Sequence, residues 1–325
     1  MISILTSFSL WYALKSNTVE ILLILSSIRW YRVFIVVGVV LFCQLIVGWI
    51  LKQFSKMVKK DYSLKEGVIN ALVASFFHGI TPSASGGQFA QVFVFYKQGV
   101  AIEQSISILI MDFIVYQIAM LLVSLVLLIW KISYIMNRSI FILGIIGFCI
   151  NAFIILMMFL GAFSTKANQW IMNMVIRVLA FLHIVKDVEM AKLNMKQKLE
   201  DFAKGLTLLC RNKILLLKVL IANIFRLIVF FSIPILCCWA LNIPVLMKDV
   251  GTMIALTSFI MNVNACVPIP GASGSTESVF LIMFGILLSQ VEVSSVMVLW
   301  RFLTYHLILV IGGFVFIRVQ KGESL

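Results

Sequence analysis

Four ionisable residues stand in or beside runs that otherwise carry no charge: Asp112, Arg226, Glu277 and Arg301. An ionised side chain in apolar surroundings is costly and usually faces a cavity or a partner. A guanidinium presents a planar fork of donors that matches phosphate oxygens, so Arg226 and Arg301 are suited to hold a phosphate. Asp112 and Glu277 are suited either to neutralise an arginine or to meet a cationic group, and simple ion pairing explains the same residues equally well. Two short segments add small and polar groups. The first contributes Pro82, Ser85, Gly86, Gly87, Gln88 and Gln91; the second contributes Asn264, Pro270, Ser273 and Gly274. Together with the four charges, these form the expected substrate-binding set. His78, Asn262 and His306 are further lining candidates, His306 reading more simply as a packed histidine. No Cys/His or Ser/His/Asp constellation for nucleophilic chemistry is visible, and no ligand spacing points to a metal or other cofactor. The six cysteines lie mostly in apolar runs and read as small buried hydrophobes.

The elements that position these residues belong in a bilayer. The chain has 325 residues, 62% hydrophobic and 12% charged, with mean hydropathy +1.10. Soluble domains carry about 25% charged residues, and a helix of about 20 apolar residues crosses a membrane. The composition therefore predicts an all-α integral membrane protein, a multi-span helical bundle. Clear spans are Val33–Leu51, Ser105–Trp130, Ser139–Phe163, Val219–Leu241 and Ser294–Ile317. Ile2–Leu14 is short for a span, which fits a tilted helix or a start further upstream, and it lacks the basic start of a cleavable signal. Ser16–Arg32 reads as an interfacial segment with Trp30 and Tyr31 at headgroup depth. The net charge of +13 sits in loops flanking the spans, which is the positive-inside bias and no sign of nucleic-acid binding.

Loop charge sets the expected topology. Lys52, Lys56, Lys59, Lys60 and Lys65 make one loop cytoplasmic, and residues 164–218, with ten Lys/Arg against four acids, make another. Lys186–Lys204 within it has the pattern of an amphipathic surface helix. Val68–Tyr96 and Gly251–Ser289 are apolar but interrupted. Full crossings there would place the most basic loop outside, so each is expected to enter and leave on one face, as a re-entrant hairpin. Their centres match: Pro82-Ser-Ala-Ser-Gly86 and Pro270-Gly-Ala-Ser-Gly274 share Pro-x-Ala-Ser-Gly, 188 residues apart. Three spans separate them, so the copies are opposed, as in an inverted repeat. Such paired interruptions mark midplane sites in transporters, since irregular backbone at that depth is tolerated only beside protein or a watery cavity. The alternative is that small residues merely allow close helix packing. The expected organisation is one transmembrane domain, 1–325: a first half 1–163 with hairpin 68–96, the basic loop 164–218, and a second half 219–325 with hairpin 251–289.

Ile80-Thr-Pro-Ser-Ala-Ser-Gly-Gly-Gln-Phe-Ala-Gln91 with Tyr96-Lys-Gln-Gly-Val100, and Pro268-Ile-Pro-Gly-Ala-Ser-Gly-Ser-Thr-Glu277 with Arg301-Phe-Leu-Thr-Tyr305, resemble the two signatures of the lysylphosphatidylglycerol synthase transmembrane family. Phe89 stands where relatives often have Pro, and Ser275 where they often have Gly. The resemblance covers nearly the whole chain. It implies a flippase-type membrane domain whose partner is a phospholipid, phosphatidylglycerol or its lysyl derivative, linked to resistance to cationic antimicrobial peptides. It also implies, as an alternative, phosphatidylglycerol lysyltransferase activity, or a separate soluble aminoacyltransferase acting beside this chain. The residues argue against transfer by this chain alone, because no polar segment is large enough to hold aminoacyl-tRNA, and no direct nucleic-acid contact is expected. A transporter of another amphipathic lipid-linked substrate on the same scaffold remains a third reading.

Overall fold

The computed structural model describes residues 18–26, 28–82, 85–131, 145–153, 156, 207, 210–264, 267 and 269–322. Among them there are helices and turns and no strand. The helices are α1 (Thr18–Ser26), α2 (Trp30–Ser55), α3 (Leu64–Ile80), α4 (Gly86–Lys97), α5 (Ile102–Trp130), α6 (Lys213–Phe231), α7 (Ile233–Ala240), α8 (Met247–Asn264), α9 (Ser275–Phe284), α10 (Gln290–Arg301) and α11 (Leu307–Lys321). A 3₁₀ turn occupies Pro270–Ala272, a π turn joins α10 to α11 over Phe302–His306, and residues 145–153 are helical.

Four stretches are long and apolar enough to cross a membrane: α2, α5, Lys213–Ala240 and Gln290–Lys321. They coincide with four of the five spans read from sequence. Of the fifth, Ser139–Phe163, only residues 145–153 and 156 are described, and they are helical. Ile2–Leu14 and the Lys186–Lys204 helix lie outside the described residues. Pro234 near the start of α7 explains why the third stretch is two helices, since proline lacks the N–H that would continue the ladder.

Sequence signals set the helix starts. Ser63 and Glu66 form a reciprocal capping box on α3, and Ser289 and Glu292 form another on α10. Close crossings need glycine. A side chain at Gly67 would collide with the Gly48 carbonyl of α2, and one at Gly312 of α11 would collide with the Leu72 carbonyl of α3. Small residues let membrane helices approach in this way.

The two largest apolar cores among the described residues share α2. Its first half, Val33, Val36 and Val40, packs with α7 to α10 around Phe280, Phe284 and Trp300. Its second half, Ile50, Leu51 and Phe54, packs with Tyr62, Phe95 and Ile108. A buried polar chain adds specificity between helices. Gln117 Nε2 donates to Asn151 Oδ1, Asn151 Nδ2 donates to Asn262 Oδ1, and Asn262 Nδ2 donates to Ser124 Oγ.

The interrupted segment 68–96 is a helical hairpin. Its two ends are tied together: Lys59 Nζ reaches Glu66 Oε1 and the Gln98 carbonyl, each at 2.8 Å, and Gln98 Nε2 donates to the Glu66 carbonyl at 2.9 Å. Tyr62 donates its hydroxyl to Gln98 Oε1 at 2.7 Å. The chain thus leaves α4 beside the point where it entered α3. In the second segment α8 packs against α9 across the Pro270 break.

Candidate functional site

Each break solves the problem of freed backbone groups differently. At the first, the Thr81 hydroxyl accepts the Gly86 N–H at 2.8 Å and donates to the Phe77 carbonyl at 2.6 Å, stitching the end of α3 to the start of α4. Gly87 lies directly against the His78 ring, with no room for a side chain. At the second, Glu277 Oε2 accepts the Gly274 N–H at 2.7 Å, and Arg301 Nη2 donates to the Gly271 carbonyl at 3.1 Å. Gly271, Ala272 and Gly274 all take positive φ, the conformation that sequence signals by glycine at two of the three.

The breaks meet through Tyr305. Its hydroxyl donates to the Gly79 carbonyl at 3.0 Å, its ring lies against Gly271, and the Arg301 guanidinium sits 4.4 Å from the ring centroid. Arg301 immediately precedes the π turn and Tyr305 lies within it, a local irregularity that often marks functional positions.

Two cavities flank this junction, and His78 lines both. The larger, about 530 Å³, lies against the first break and is lined by Ser85, Gln88, Gln91, Asp112, Tyr116 and Arg226 among others. Asp112 and Arg226 face this space without touching. Among the described residues Asp112 makes no hydrogen bond, and its carboxylate is in no ion pair within 4.0 Å. Arg226 has only a long contact from Nη2 to Asn223 Oδ1, 3.4 Å, and its buried Nε has no partner. Its guanidinium lies 5.1 Å from the Tyr116 ring centroid. The smaller cavity, about 340 Å³, lies against the second break and is lined by Asn264, Gly271, Trp300, Arg301 and Tyr305 among others. Here too a buried acceptor and a buried donor lack partners, Asn264 Oδ1 and Trp300 Nε1.

The expected set divides accordingly. Ser85, Gln88, Gln91, Asp112 and Arg226 share the larger cavity, and Asn264 and Arg301 share the smaller. Gly86, Gly87 and Gly274 shape the breaks, Pro270 is buried within the second, and Pro82 is exposed and lines neither cavity. Ser273 is within 3.5 Å of Arg301 Nη2. Glu277 is 4% exposed with both carboxylate oxygens engaged, one by Arg301 and one by Gly274. Of the extra lining candidates, His78 is at the centre, Asn262 serves the polar chain between helices, and His306 accompanies the Arg301 carbonyl at 3.3 Å. Tyr116, Trp300 and Tyr305 were not among the candidates. An amphipathic ring inside an apolar run carries no signal of its own, although Tyr305 lies within the second quoted motif. Among the described residues no group of three or more His, Cys, Asp or Glu is placed to hold a metal.

The family model described as the lysylphosphatidylglycerol synthase TM region matches residues 1–312. Comparison with curated proteins and with solved structures finds no match. With a match over nearly its whole length and a bundle of membrane-length helices around two broken segments, the chain belongs to the lysylphosphatidylglycerol synthase transmembrane-region family.

Proposed function

We propose that this protein binds a phospholipid headgroup in the larger cavity and moves it across the plasma membrane. The observation that carries this reading is the unpaired placement of Asp112 and Arg226 around about 530 Å³, a volume in the range of small-molecule sites, about 300–1,000 Å³. Arg226, with an unsatisfied Nε, offers a fork to phosphate oxygens. Asp112 offers a carboxylate to an ammonium, and Ser85, Gln88 and Gln91 offer donors and acceptors to ester and hydroxyl groups. A headgroup carrying both a phosphate and an amine, such as lysyl-phosphatidylglycerol, satisfies both charges at once. Phosphatidylglycerol satisfies only the arginine.

In this reading the two broken segments are re-entrant hairpins of an inverted repeat. The paired ends of the α3–α4 hairpin support entry and exit on one face, and the shared motif supports the repeat. Tyr305 then couples the two breaks, so that a change at one is felt at the other. A separate soluble aminoacyltransferase would supply the lysyl lipid, and its display on the outer leaflet would weaken cationic antimicrobial peptides.

The test is leaflet-resolved lipid analysis of cells with and without the protein, in a background that makes lysyl-phosphatidylglycerol independently. Translocation predicts an unchanged total with less lysyl lipid in the outer leaflet when the protein is absent. Identical leaflet distributions would refute it. A lysyl lipid that appears only when this chain is present, in a host lacking any transferase, would make the chain the transferase instead.

A further inference from the structure

The two acids of the apolar region are in opposite states. Glu277 is fully committed, its oxygens bonded to Arg301 and Gly274 at 2.7 Å each. Asp112 makes no hydrogen bond or close ion pair among the described residues, and Arg226 is its electrostatic neighbour across the cavity. The aspartate stands on α5 ten residues past Ile102, about 15 Å along the helix at 1.5 Å per residue, and opens on the larger cavity. The groups facing it from the surrounding helices are few. Arg226 comes from α6, His78 from α3, Tyr116 from its own helix, and the Cys43 thiol of α2 lies near Arg226. The first break and α4 contribute Ser85, Gln88 and Gln91, none of which titrates. Arg226 is the one permanent charge among the residues lining this space.

Resting on the headgroup reading above, we infer that Asp112 carries an exchangeable proton, that this proton competes with the ammonium of a cationic headgroup, and that lipid moves one way as a proton moves the other. The charge balance makes the argument. With Asp112 ionised its charge and that of Arg226 cancel; with Asp112 protonated Arg226 is left as an uncompensated cation. A cationic lipid enters the first and is repelled by the second, and an anionic lipid has the reverse preference. On the acidic side of the membrane, water delivers a proton to the Asp112 carboxylate as the ammonium leaves. On the alkaline side the proton returns to water and the carboxylate takes a new ammonium. The ammonium keeps its own protons throughout, so charge and atoms balance. A metal cation is a poorer occupant, because no cluster of His, Cys, Asp or Glu among the described residues accompanies Asp112.

The experiment measures binding of lysyl-phosphatidylglycerol and of phosphatidylglycerol to the purified full chain in detergent, from pH 5 to 8. The expected result is a loss of lysyl-lipid affinity on acidification that approaches about tenfold per pH unit, with phosphatidylglycerol affinity level or rising. The lysyl α-amino group titrates near pH 8, but its protonation strengthens attraction to a carboxylate and so has the opposite sign. Asp112→Asn should abolish the slope, and Asp112→Glu should restore it with a displaced midpoint. Asp112→Glu also decides the matter if the asparagine variant fails to fold. A flat profile for both lipids would overturn the inference and leave the headgroup reading standing. Retention of the wild-type slope in Asp112→Asn, or dependence on sodium instead of pH, would also overturn it. Absence of binding for both lipids at every pH would remove the headgroup reading itself.

Discussion

Arg301 Nε lies 2.7 Å from Glu277 Oε1, with the two side chains only 7% and 6% exposed. The pair closes the second break, because the same arginine holds the Gly271 carbonyl and the same glutamate holds the Gly274 N–H. Removing one partner of a buried pair leaves an uncompensated charge, at a cost of about 3–5 kcal/mol. Arg301→Gln and Glu277→Gln should each lower the thermal midpoint in detergent, and the double variant should recover most of the loss. A double variant as unstable as the sum of the singles would show that the two side chains act independently.

Gly271 and Gly274 should fail for different reasons. Gly274 has φ 90° and open space where a side chain would go, so Gly274→Ala meets backbone strain alone, about 1–3 kcal/mol. Gly271 has φ 59° and also lies against the Tyr305 ring, so Gly271→Ala adds a collision. The alanine at 271 should be the more damaging of the two. Adding Tyr305→Leu should offset part of that damage, measured as a stability gain over Gly271→Ala alone.

The physics that made some features legible in the sequence also explains why others were not. The spans of α2 and α5 follow from length and apolarity, and the breaks follow from Pro and Gly in runs that have no local use for them. Asp112 and Arg226 stood out because charge is rare in oil. Glu277 stood out for the same reason, but its commitment to Arg301 depends on the turn between α9 and α10, which packs the two helices together and brings positions 24 apart into contact. The role of Tyr305 depends on a neighbour 226 positions away, Gly79, which no local pattern announces.

The hairpin base gives a topological prediction. Lys60 precedes α3 and Lys97 ends α4, and both are exposed. Because Lys59 contacts Gln98 directly, cysteines at 60 and 97 in a cysteine-free background should react with an impermeant reagent from the same side of the membrane. Labelling from opposite sides would mean a full crossing and would end the re-entrant reading of this segment.

The same cluster gives a pH prediction. Burial raises the Glu66 carboxyl, but hydrogen bonds from Lys59 and Ser63 outweigh it and hold the group below its ordinary value of 4.5. A folded-state pKa that is lowered adds stability above the unfolded value and loses it as pH falls through the folded one. The pair is about a quarter exposed, so the contribution is small, about 0.2–1 kcal/mol. Glu66→Gln should therefore be slightly less stable than wild type at pH 7, with the gap closing below pH 4. A gap that widens on acidification would contradict this assignment.

The two arginines should separate stability from binding. Arg301 spends its fork on the protein, on Glu277 and Gly271, so Arg301→Lys should lower stability through the lost carbonyl contact. Arg226 spends little of its fork on the protein: Nε has no partner and Nη2 has one contact at 3.4 Å. Lysine at 226 keeps the charge but offers a point donor in place of two parallel hydrogen bonds. A hydrogen bond to a charged group contributes about 1.5–3 kcal/mol, so losing one corresponds to roughly tenfold or more in affinity. Arg226→Lys should therefore weaken both phosphatidylglycerol and lysyl-phosphatidylglycerol by about that factor while the thermal midpoint stays near wild type. Arg226→Gln should weaken phosphatidylglycerol further than the lysyl lipid, because Asp112 remains to hold the lysyl ammonium. Equal losses for both lipids in Arg226→Gln would mean that Asp112 does not contact the headgroup, and a fall in stability without any change in binding would return Arg226 to a packing role against Tyr116.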